Sequence, residues 1–217
     1  MNTCLICNNK TAQYPSLCDG CLSLLSPAEM TCQQCGVQLQ SKQPLCGSCI
    51  RKPPVFSQTF SVCTYQAPVD KWVMALKFGK KILYSKLFAE LMSLKLNRID
   101  KQYVLMPVPL HKNRLRKRGF NQAFEIAKEL SNLSARPVDT SLVRHKNTKM
   151  QAQLKFNQRA KNVKNAFGLR EDLLHQHIVL IDDVMTSGNT LQECAKTLIK
   201  AGVEDVKVLV FARKSAA

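Results

Sequence analysis

The stretch "HIVLIDDVMTSGNT" (177–190) combines an apolar run, two acids and a short polar loop. An apolar run of this kind is typical of a strand buried on both faces of a parallel sheet. Beyond the loop, apolar residues recur at helical spacing from Leu191 to Ile199, and Gly202 is expected to end that helix. Strand, loop and helix predict a βα unit whose loop lies at the carboxyl end of the strand, where ligands of open α/β sheets bind.

Five residues of the polar loop are suited to an anion: Thr186, Ser187, Gly188, Asn189 and Thr190. They lie at the predicted N-terminus of a helix, where unpaired N–H groups and the helix dipole favour a phosphate. Gly188 allows the backbone to turn and a ligand to come close. The chain contains no GxxxxGKS/T sequence, so this loop is not a P-loop.

Asp182 and Asp183 are suited to a sugar, because carboxylates accept hydrogen bonds from hydroxyl groups. Adjacent ribose hydroxyls next to a 5′-phosphate match two acids followed by an anion-binding loop. In the alternative interpretation, the acids and the loop only form the turn that ends the strand. We favour the ligand because the apolar strand, the acid pair and the loop occur together.

Outward from this unit, predicted strands and helices alternate. Strands are predicted at 56–65, 102–109, 137–143 and 206–212, and helices at 70–78, 82–94 and 121–133. Such alternation predicts an α/β fold around a mostly parallel sheet. The helix at 121–133 places Phe124, Ala127 and Leu130 on one face. Two prolines in "RKPPVF" (51–56) mark a linker, so we divide the chain into 1–52 and 53–217.

Eight of the ten cysteines form a repeat with a period of 28 residues: "CLICNNKTAQYPSLCDGC" (4–21) and "CQQCGVQLQSKQPLCGSC" (32–49). Each copy holds two CxxC pairs separated by ten residues, a pattern that predicts two structural zinc sites with four thiolates each. The simplest pairing is Cys4, Cys7, Cys18 and Cys21 on one ion, and Cys32, Cys35, Cys46 and Cys49 on the other.

Spacing leaves a crossed pairing of these cysteines open. Disulfides between these cysteines are a further alternative. The chain has no visible secretory signal, and the cytoplasm keeps thiols reduced, so zinc is favoured over disulfides. Cys63 and Cys194 lie far from the repeat and are predicted to pack in the core.

The 217-residue chain carries 32 Lys and Arg against 15 Asp and Glu, a formal charge of +17. Such an excess favours phosphate-rich partners. Residues 1–53 contain only four basic and two acidic residues, so the excess lies beyond them. "KNRLRKR" (112–118) has five basic residues, and 140–170 has eight basic residues and no acid.

These basic stretches predict a groove for single-stranded nucleic acid, with contacts from Arg114, Arg116, Lys117 and Arg118. Phe120, Phe156 and Phe167 lie in or near these stretches; their helical or strand spacing favours positions in the core, and stacking on bases is the alternative. A solvated basic face is the alternative for the basic stretches themselves.

No apolar run reaches the roughly 18 residues that suggest a membrane span. The N-terminus "MNTCLICNNK" lacks the pattern of a secretory signal. We therefore predict a cytoplasmic protein that does not insert into a membrane.

The run "IVLIDDVMTSGNT" resembles the phosphoribosyl-pyrophosphate motif of type I phosphoribosyltransferases. With "PVPLHKNRLRKRGFNQA" (107–123), "TKMQAQLKFNQRAKNVKNAF" (148–167) and the cysteine repeat, the whole chain is similar to the ComF family. The resemblance implies the mostly parallel sheet of the type I phosphoribosyltransferase fold, preceded by a small double zinc-ribbon module.

The resemblance also implies the roles of particular residues. Asp182 and Asp183 would contact the ribose at the catalytic centre, and Thr186 to Thr190 the 5′-phosphate. Leu110, His111 and Lys112 would form the pyrophosphate loop. Magnesium would arrive with the pyrophosphate, held mainly by ligand oxygens and waters. Residues 145–162 would be a flexible loop that closes over the site.

ComF proteins are associated with natural transformation, so the resemblance implies a protein that binds phosphoribosyl pyrophosphate and single-stranded DNA during DNA uptake, with other uptake proteins as partners. A working phosphoribosyltransferase of nucleotide salvage or modification is the first alternative. A regulator that senses phosphoribosyl pyrophosphate is the second. Known phosphoribosyltransferases carry an additional hood that recognises the base. In this chain only residues 1–100 could form a hood, and they are predicted to be zinc ribbon and helices. The sequence therefore does not specify the acceptor.

Overall fold

A parallel four-stranded sheet forms the centre of the computed structural model, which describes residues 3–11, 14, 16–27, 29–79, 81–147 and 163–215. The strands are β1 (Gln58–Thr64), β2 (Val104–Pro107), β3 (Leu142–Arg144), β4 (Phe167–Leu169), β5 (His177–Met185) and β6 (Asp205–Arg213). In the sheet their order is β1, β6, β5, β2, and every neighbouring pair is parallel. β3 and β4 form a separate antiparallel pair.

Helices cover both faces of this sheet. They are α1 (Asp19–Leu22), α2 (Gly47–Arg51), α3 (Val69–Phe78), α4 (Tyr84–Leu96), α5 (Lys112–Arg118), α6 (Gln122–Ser134) and α7 (Asn189–Lys200). α3, α4 and α6 pack on one face, and α7 packs on the other together with β3 and β4.

β5 is buried on both faces, which explains its continuous apolar sequence. Val179 and Ile181 lie in the core that contains α4 and α6. Ile178 and Leu180, which alternate with them along the strand, lie in the core that contains α7. The structure confirms the predicted α/β fold with a mostly parallel sheet.

The strand predicted at 137–143 is wrong. Val138 makes a single parallel bridge to Leu105, and the regular strand β3 begins only at Leu142. The reason is a turn between them, in which the side chain of Asp139 accepts a 2.7 Å hydrogen bond from the N–H of Ser141.

The inner face of α6 also differs from its prediction. Phe124 is 38% exposed, whereas Ala123, Ile126, Ala127 and Leu130 are buried. These four residues follow the i, i+3, i+4, i+7 spacing of one helical face, and Phe124 lies outside it.

The two cysteine copies pack at different places. In the first copy, the N–H and Oγ of Ser16 donate hydrogen bonds of 3.2 and 2.7 Å to the buried carboxylate of Glu90 in α4. In the second copy, the carbonyls of Gln33 and Gln34 accept hydrogen bonds from Thr59 of β1, at 3.1 and 2.7 Å. Both copies therefore contact the sheet domain, and the boundary at residue 52 stays a prediction.

Candidate functional site

Asp182 and Asp183 lie at the end of β5 and face opposite sides of the sheet, because successive side chains of a strand alternate. Asp183 faces α3, where the Nζ atom of Lys77 lies 2.7 Å from its Oδ2 atom. Asp182 faces α7 and interacts with Cys194 there. The N–H of Asp183 donates to Oδ1 of Asp182, and the N–H of Val184 donates to Oδ1 of Asp183, each at 2.9 Å.

The acid pair resists carrying two negative charges. Burial raises the pKa of Asp182, and the adjacent charge of Asp183 raises it further, while Lys77 opposes both effects. Donated hydrogen bonds or a nearby cation would favour the ionised pair. The site is therefore suited to a ligand that brings hydroxyl donors or a divalent cation.

Two arginines of α5 are partly withdrawn from solvent, and one of them, Arg118, lies within electrostatic range of the acids. Arg114 and Arg118, four residues apart on one helical face, are half-buried, whereas Arg116 and Lys117 are exposed. Burial lowers the pKa of Arg118, and the charges of the two acids oppose that effect. Its guanidinium lies 5.0 Å from the ring centroid of Phe78 in α3. The predicted nucleic-acid cluster is thus divided into an inner pair, Arg114 and Arg118, and an outer pair, Arg116 and Lys117.

Arg144 of β3 adds a further cation on the side of Asp182. It is 8% exposed, and its guanidinium lies 5.3 Å from the centroid of Phe167. Burial lowers its pKa to about 10, and the charge of Asp182 opposes that effect. The acids therefore lie among cations that could hold an anionic group beside a bound sugar.

The polar loop after β5 turns at Gly188, the N-cap of α7. Its φ of 76° is left-handed, and an added Cβ atom would lie 2.6 Å from the Cε atom of Met185. The left-handed backbone favours glycine at this position, whereas the Met185 methyl could move aside for a larger residue. Glycine offers no capping side chain, and a phosphate in this place would accept hydrogen bonds from amides of the first turn of α7.

The loop predicted for pyrophosphate follows β2 and lies beside the acid pair. The N–H of Val108 donates a 2.9 Å hydrogen bond to the carbonyl of Ile181, which directly precedes Asp182. His111 is buried and begins α5, with its Nδ1 atom accepting from the N–H of Asn113 at 3.2 Å. Leu110 is half-buried and Lys112 is exposed. Ligand contacts of this loop stay a prediction.

Each cysteine copy brings its four thiols together. In both groups, Cys4 with Cys7, Cys18 and Cys21, and Cys32 with Cys35, Cys46 and Cys49, the sulfur atoms lie within 4.8 Å of one another. This is the simplest of the predicted pairings, and four thiols at this separation suit a tetrahedral zinc ion. The two groups could therefore hold one zinc ion each.

One thiol in each group is prepared to ionise. Burial disfavours the thiolate of Cys4, but backbone hydrogen bonds from Cys18, Cys7 and Ile6 lower its pKa to about 6. The same balance, with backbone hydrogen bonds from Cys35, Cys46 and Gln34, lowers the pKa of Cys32 to about 7. Thiolates are the form that binds metal.

The two remaining cysteines lie in the core, as predicted. Cys63 and Cys194 are both fully buried. Burial raises the pKa of Cys63 to about 12, so this thiol stays neutral.

Two further sequence predictions have different outcomes. Most of the proposed closing loop, residues 148–162, lies outside the described residues, as does Phe156. Phe167 is buried and Phe120 is half-buried against the core, so neither ring is an open stacking platform. The stacking alternative is thus wrong for Phe167.

Sequence analysis did not find Lys77, Arg144 or Arg213. The first two come from elements far along the chain from the acids, without a local motif. Arg213 is different, because a charged residue that ends the apolar strand "VKVLVFAR" could have indicated a role at the carboxyl edge. It is 8% exposed and donates hydrogen bonds to the carbonyls of Met185 and Thr186, where β5 ends and the polar loop begins.

A parallel sheet with an acid pair near the carboxyl end of an inner strand, followed by a glycine-turned polar loop, is typical of a phosphoribosyltransferase-type domain. Residues 115–217 match the family model for the phosphoribosyl transferase domain. The chain belongs to the ComF family, since it is 31% identical over 207 residues to "Competence protein F" of Haemophilus influenzae, covering 91% of this chain and 90% of that protein.

Two other relatives support the same family. "Competence protein ComFC" of Bacillus subtilis is 30% identical over 222 residues, covering 92% of this chain and 89% of that protein. "DNA utilization protein YhgH" of Escherichia coli O6:H1 is 29% identical over 218 residues, covering 97% and 96%. The similarity therefore includes the cysteine repeat as well as the sheet domain.

Among the described residues, none of the helices combines the length and apolar character that crossing a membrane requires.

Proposed function

We propose that this protein binds phosphoribosyl pyrophosphate, together with Mg²⁺, at the carboxyl edge of β2 and β5, and that it handles single-stranded DNA in the cytoplasm during DNA uptake. The observation that carries the proposal is the acid pair near the carboxyl end of β5, two residues before a glycine-turned loop at the N-terminus of α7. Ribose hydroxyls would donate to Asp182 and Asp183, and the 5′-phosphate would accept from residues 186–190.

The pyrophosphate would lie between the loop after β2 and the inner pair of arginines. Arg114 and Arg118 are half-buried, so their charges are less screened than those of surface residues. Guanidinium groups bind phosphate oxygens in a bidentate geometry. Leu110, His111 and Lys112 would form the wall of this subsite.

Magnesium suits this site as a partner of the ligand more than of the protein. The Oδ1 atoms of both acids accept backbone hydrogen bonds, and Oδ2 of Asp183 is paired with Lys77. Few protein oxygens are therefore left to enclose an ion, and Mg²⁺ commonly keeps its waters and binds phosphate oxygens. When bound, it would neutralise charge on the pyrophosphate.

Transfer of phosphoribose to an acceptor would require this protein to separate pyrophosphate from an oxocarbenium-like sugar. The chain's contributions would be to position the ribose through the acids and to stabilise the departing charge through the arginines. The role in DNA uptake is supported by the names of the relatives, which are competence and DNA utilization proteins. Two zinc ions in the cysteine groups would have a structural role.

The test combines binding and turnover. Calorimetry should detect phosphoribosyl pyrophosphate binding that depends on Mg²⁺, and fluorescence anisotropy should detect binding of a labelled single strand. Incubation with the activated sugar and a panel of bases, nucleotides and DNA, with pyrophosphate release as the readout, distinguishes an enzyme from a binding protein. Absence of calorimetric binding with Mg²⁺ present would refute the ligand assignment.

A further inference from the structure

A groove runs along α7 beside the polar loop at 186–189. Its first part is a cavity of about 520 Å³ between the second cysteine group, the linker at 52–54 and residues 185–189. Its second part is a cavity of about 720 Å³ between α7 and the segment that leads into β4. The two parts adjoin along α7, where both are lined by Glu193 and Lys196, and we call them together the α7 groove.

Lysines from four separate parts of the chain converge on the α7 groove. They come from the linker, from α7, from the segment before β4 and from the end of β6: Lys52, Lys164, Lys196, Lys200 and Lys214. All five are exposed. Their convergence from distant segments differs from a charge run on one solvated helix, in which neighbouring cations share a single element.

Negative charge in the α7 groove is much smaller. Glu193 is the one acid among the described lining residues, and its Oε1 atom is paired with Lys196 at 2.7 Å. Three thiols of the second cysteine group also line the groove, and a zinc ion with four thiolates would carry two negative charges. Five lysines and Arg213 exceed these charges, so the groove stays cationic.

We infer that the α7 groove binds single-stranded DNA through its backbone phosphates, an inference that rests on the proposed role in handling single strands. Lysines supply mobile point charges for phosphates, and Ser48, Asn189 and Gln192 add neutral hydrogen-bonding groups to the lining. Cavities of this volume can hold a few unpaired nucleotides of a single strand, whereas a duplex is too wide to enter and would contact only the rim. Charge contacts of this kind carry no sequence information.

Stacking on aromatic rings contributes little here. The phenylalanines that line the groove, Phe56 and Phe167, are only 1% and 6% exposed. The affinity should therefore come from phosphates, with a strong dependence on salt and little dependence on sequence.

The α7 groove does not overlap the proposed ribose site. Neither Asp182 nor Asp183 lines it, although residues 186–189 form one of its walls. A strand in the groove would therefore contact the loop that we propose for the 5′-phosphate, without contacting the acids.

The test compares two triple variants with the same change of charge. Lys196→Gln, Lys200→Gln and Lys214→Gln neutralise the groove. The control variant is Lys86→Gln, Lys101→Gln and Lys128→Gln. These exposed lysines lie in α4, between α4 and β2, and in α6, respectively. α4 and α6 pack on the face of the sheet opposite to α7. Anisotropy of a labelled oligothymidine is measured over a salt series, with thermal unfolding and calorimetry of phosphoribosyl pyrophosphate as checks on folding and on the other site.

We expect the groove variant to lose at least about tenfold in single-strand affinity at low salt, and its slope of log affinity against log salt to fall by about 2, since each single-strand phosphate contact contributes about 0.7. The control variant should bind like the unaltered protein, and both should keep their affinity for phosphoribosyl pyrophosphate. An unchanged slope in the groove variant, an equal loss in the control, or duplex bound as tightly as single strand would overturn the inference.

Other outcomes separate the groove from the proposed function. If Arg116→Gln with Lys117→Gln abolishes DNA binding and the groove variant does not, DNA binds at α5 and the groove assignment is wrong. If the unaltered protein binds no single strand, the proposed DNA role fails together with the groove, whereas the phosphoribosyl-pyrophosphate site is judged separately by calorimetry.

Discussion

The Nε atom of Arg213 donates a 2.8 Å hydrogen bond to the carbonyl oxygen of Cys35. The same guanidinium donates through Nη1 to the carbonyls of Met185, at 3.1 Å, and of Thr186. One buried cation therefore connects the second cysteine group with the end of β5 and the first residue of the polar loop. The loop that we propose for the 5′-phosphate is thus held in part by a contact with the second cysteine group.

We expect Arg213→Met to lower both stability and affinity for phosphoribosyl pyrophosphate. Removing the guanidinium leaves buried carbonyls without a donor, which costs about 1–3 kcal/mol in the free energy of unfolding. Denaturant unfolding and calorimetry measure the two effects. Arg213→Lys keeps the charge but cannot donate in several fixed directions, so it should restore only part of the affinity. A Met variant that binds as the unaltered protein does would show that Arg213 does not position the loop.

The acid pair provides a sharper test of the ligand site. Asp182→Asn with Asp183→Asn keeps the shape of both side chains and removes their charges. Hydrogen bonds to charged groups contribute about 1.5–3 kcal/mol each, so the affinity for phosphoribosyl pyrophosphate should fall about 100-fold or more by calorimetry. Glu171→Gln with Asp172→Asn removes two adjacent charges from exposed positions and should leave the affinity unchanged. Equal affinities of the two variants would contradict the site.

The two pairs of basic residues in α5 should separate by function. Arg114→Gln with Arg118→Gln removes the half-buried pair and should weaken phosphoribosyl-pyrophosphate binding about tenfold or more, because charge-assisted contacts to pyrophosphate are lost. Arg116→Gln with Lys117→Gln removes the same charge from the exposed side of the same helix and should preserve that affinity. Calorimetry measures the affinity of both variants for phosphoribosyl pyrophosphate. If only the Arg116 and Lys117 variant lost affinity, the assignment of Arg114 and Arg118 to the pyrophosphate site would be wrong.

Native mass spectrometry should find two zinc ions per chain. Cys4→Ser and Cys32→Ser should each retain one, because a tetrahedral site needs all four thiolates for full affinity. The variants should differ in their effects. Loss of the second site should lower the affinity for phosphoribosyl pyrophosphate through the contact between Cys35 and Arg213, whereas loss of the first should lower the melting temperature alone. Disulfides in place of metal, found by mass under non-reducing conditions, would contradict both sites.

The sequence by itself determined the parts whose causes are local. An apolar run as in β5 predicts a strand buried on both faces, since each face packs against helices. The eight cysteines formed the predicted groups because the ligands of each lie within 18 consecutive residues on tight turns. The acid pair and Gly188 lie within seven consecutive residues, and their relation to the end of β5 and the start of α7 followed from the pattern.

Only the tertiary structure decided which distant residues share these sites. Lys77, Arg144 and Arg213 reach the acid pair or its loop from separate elements, and nothing in their local sequence records which strands are neighbours. The basic run 112–118 shows why composition cannot predict which cations face a site. Its charge is evident in the sequence. Only the packing of α5 makes Arg114 and Arg118 half-buried and leaves Arg116 and Lys117 exposed. Long-range packing brings such groups together, because the fold and not the order of the chain sets distances between charges.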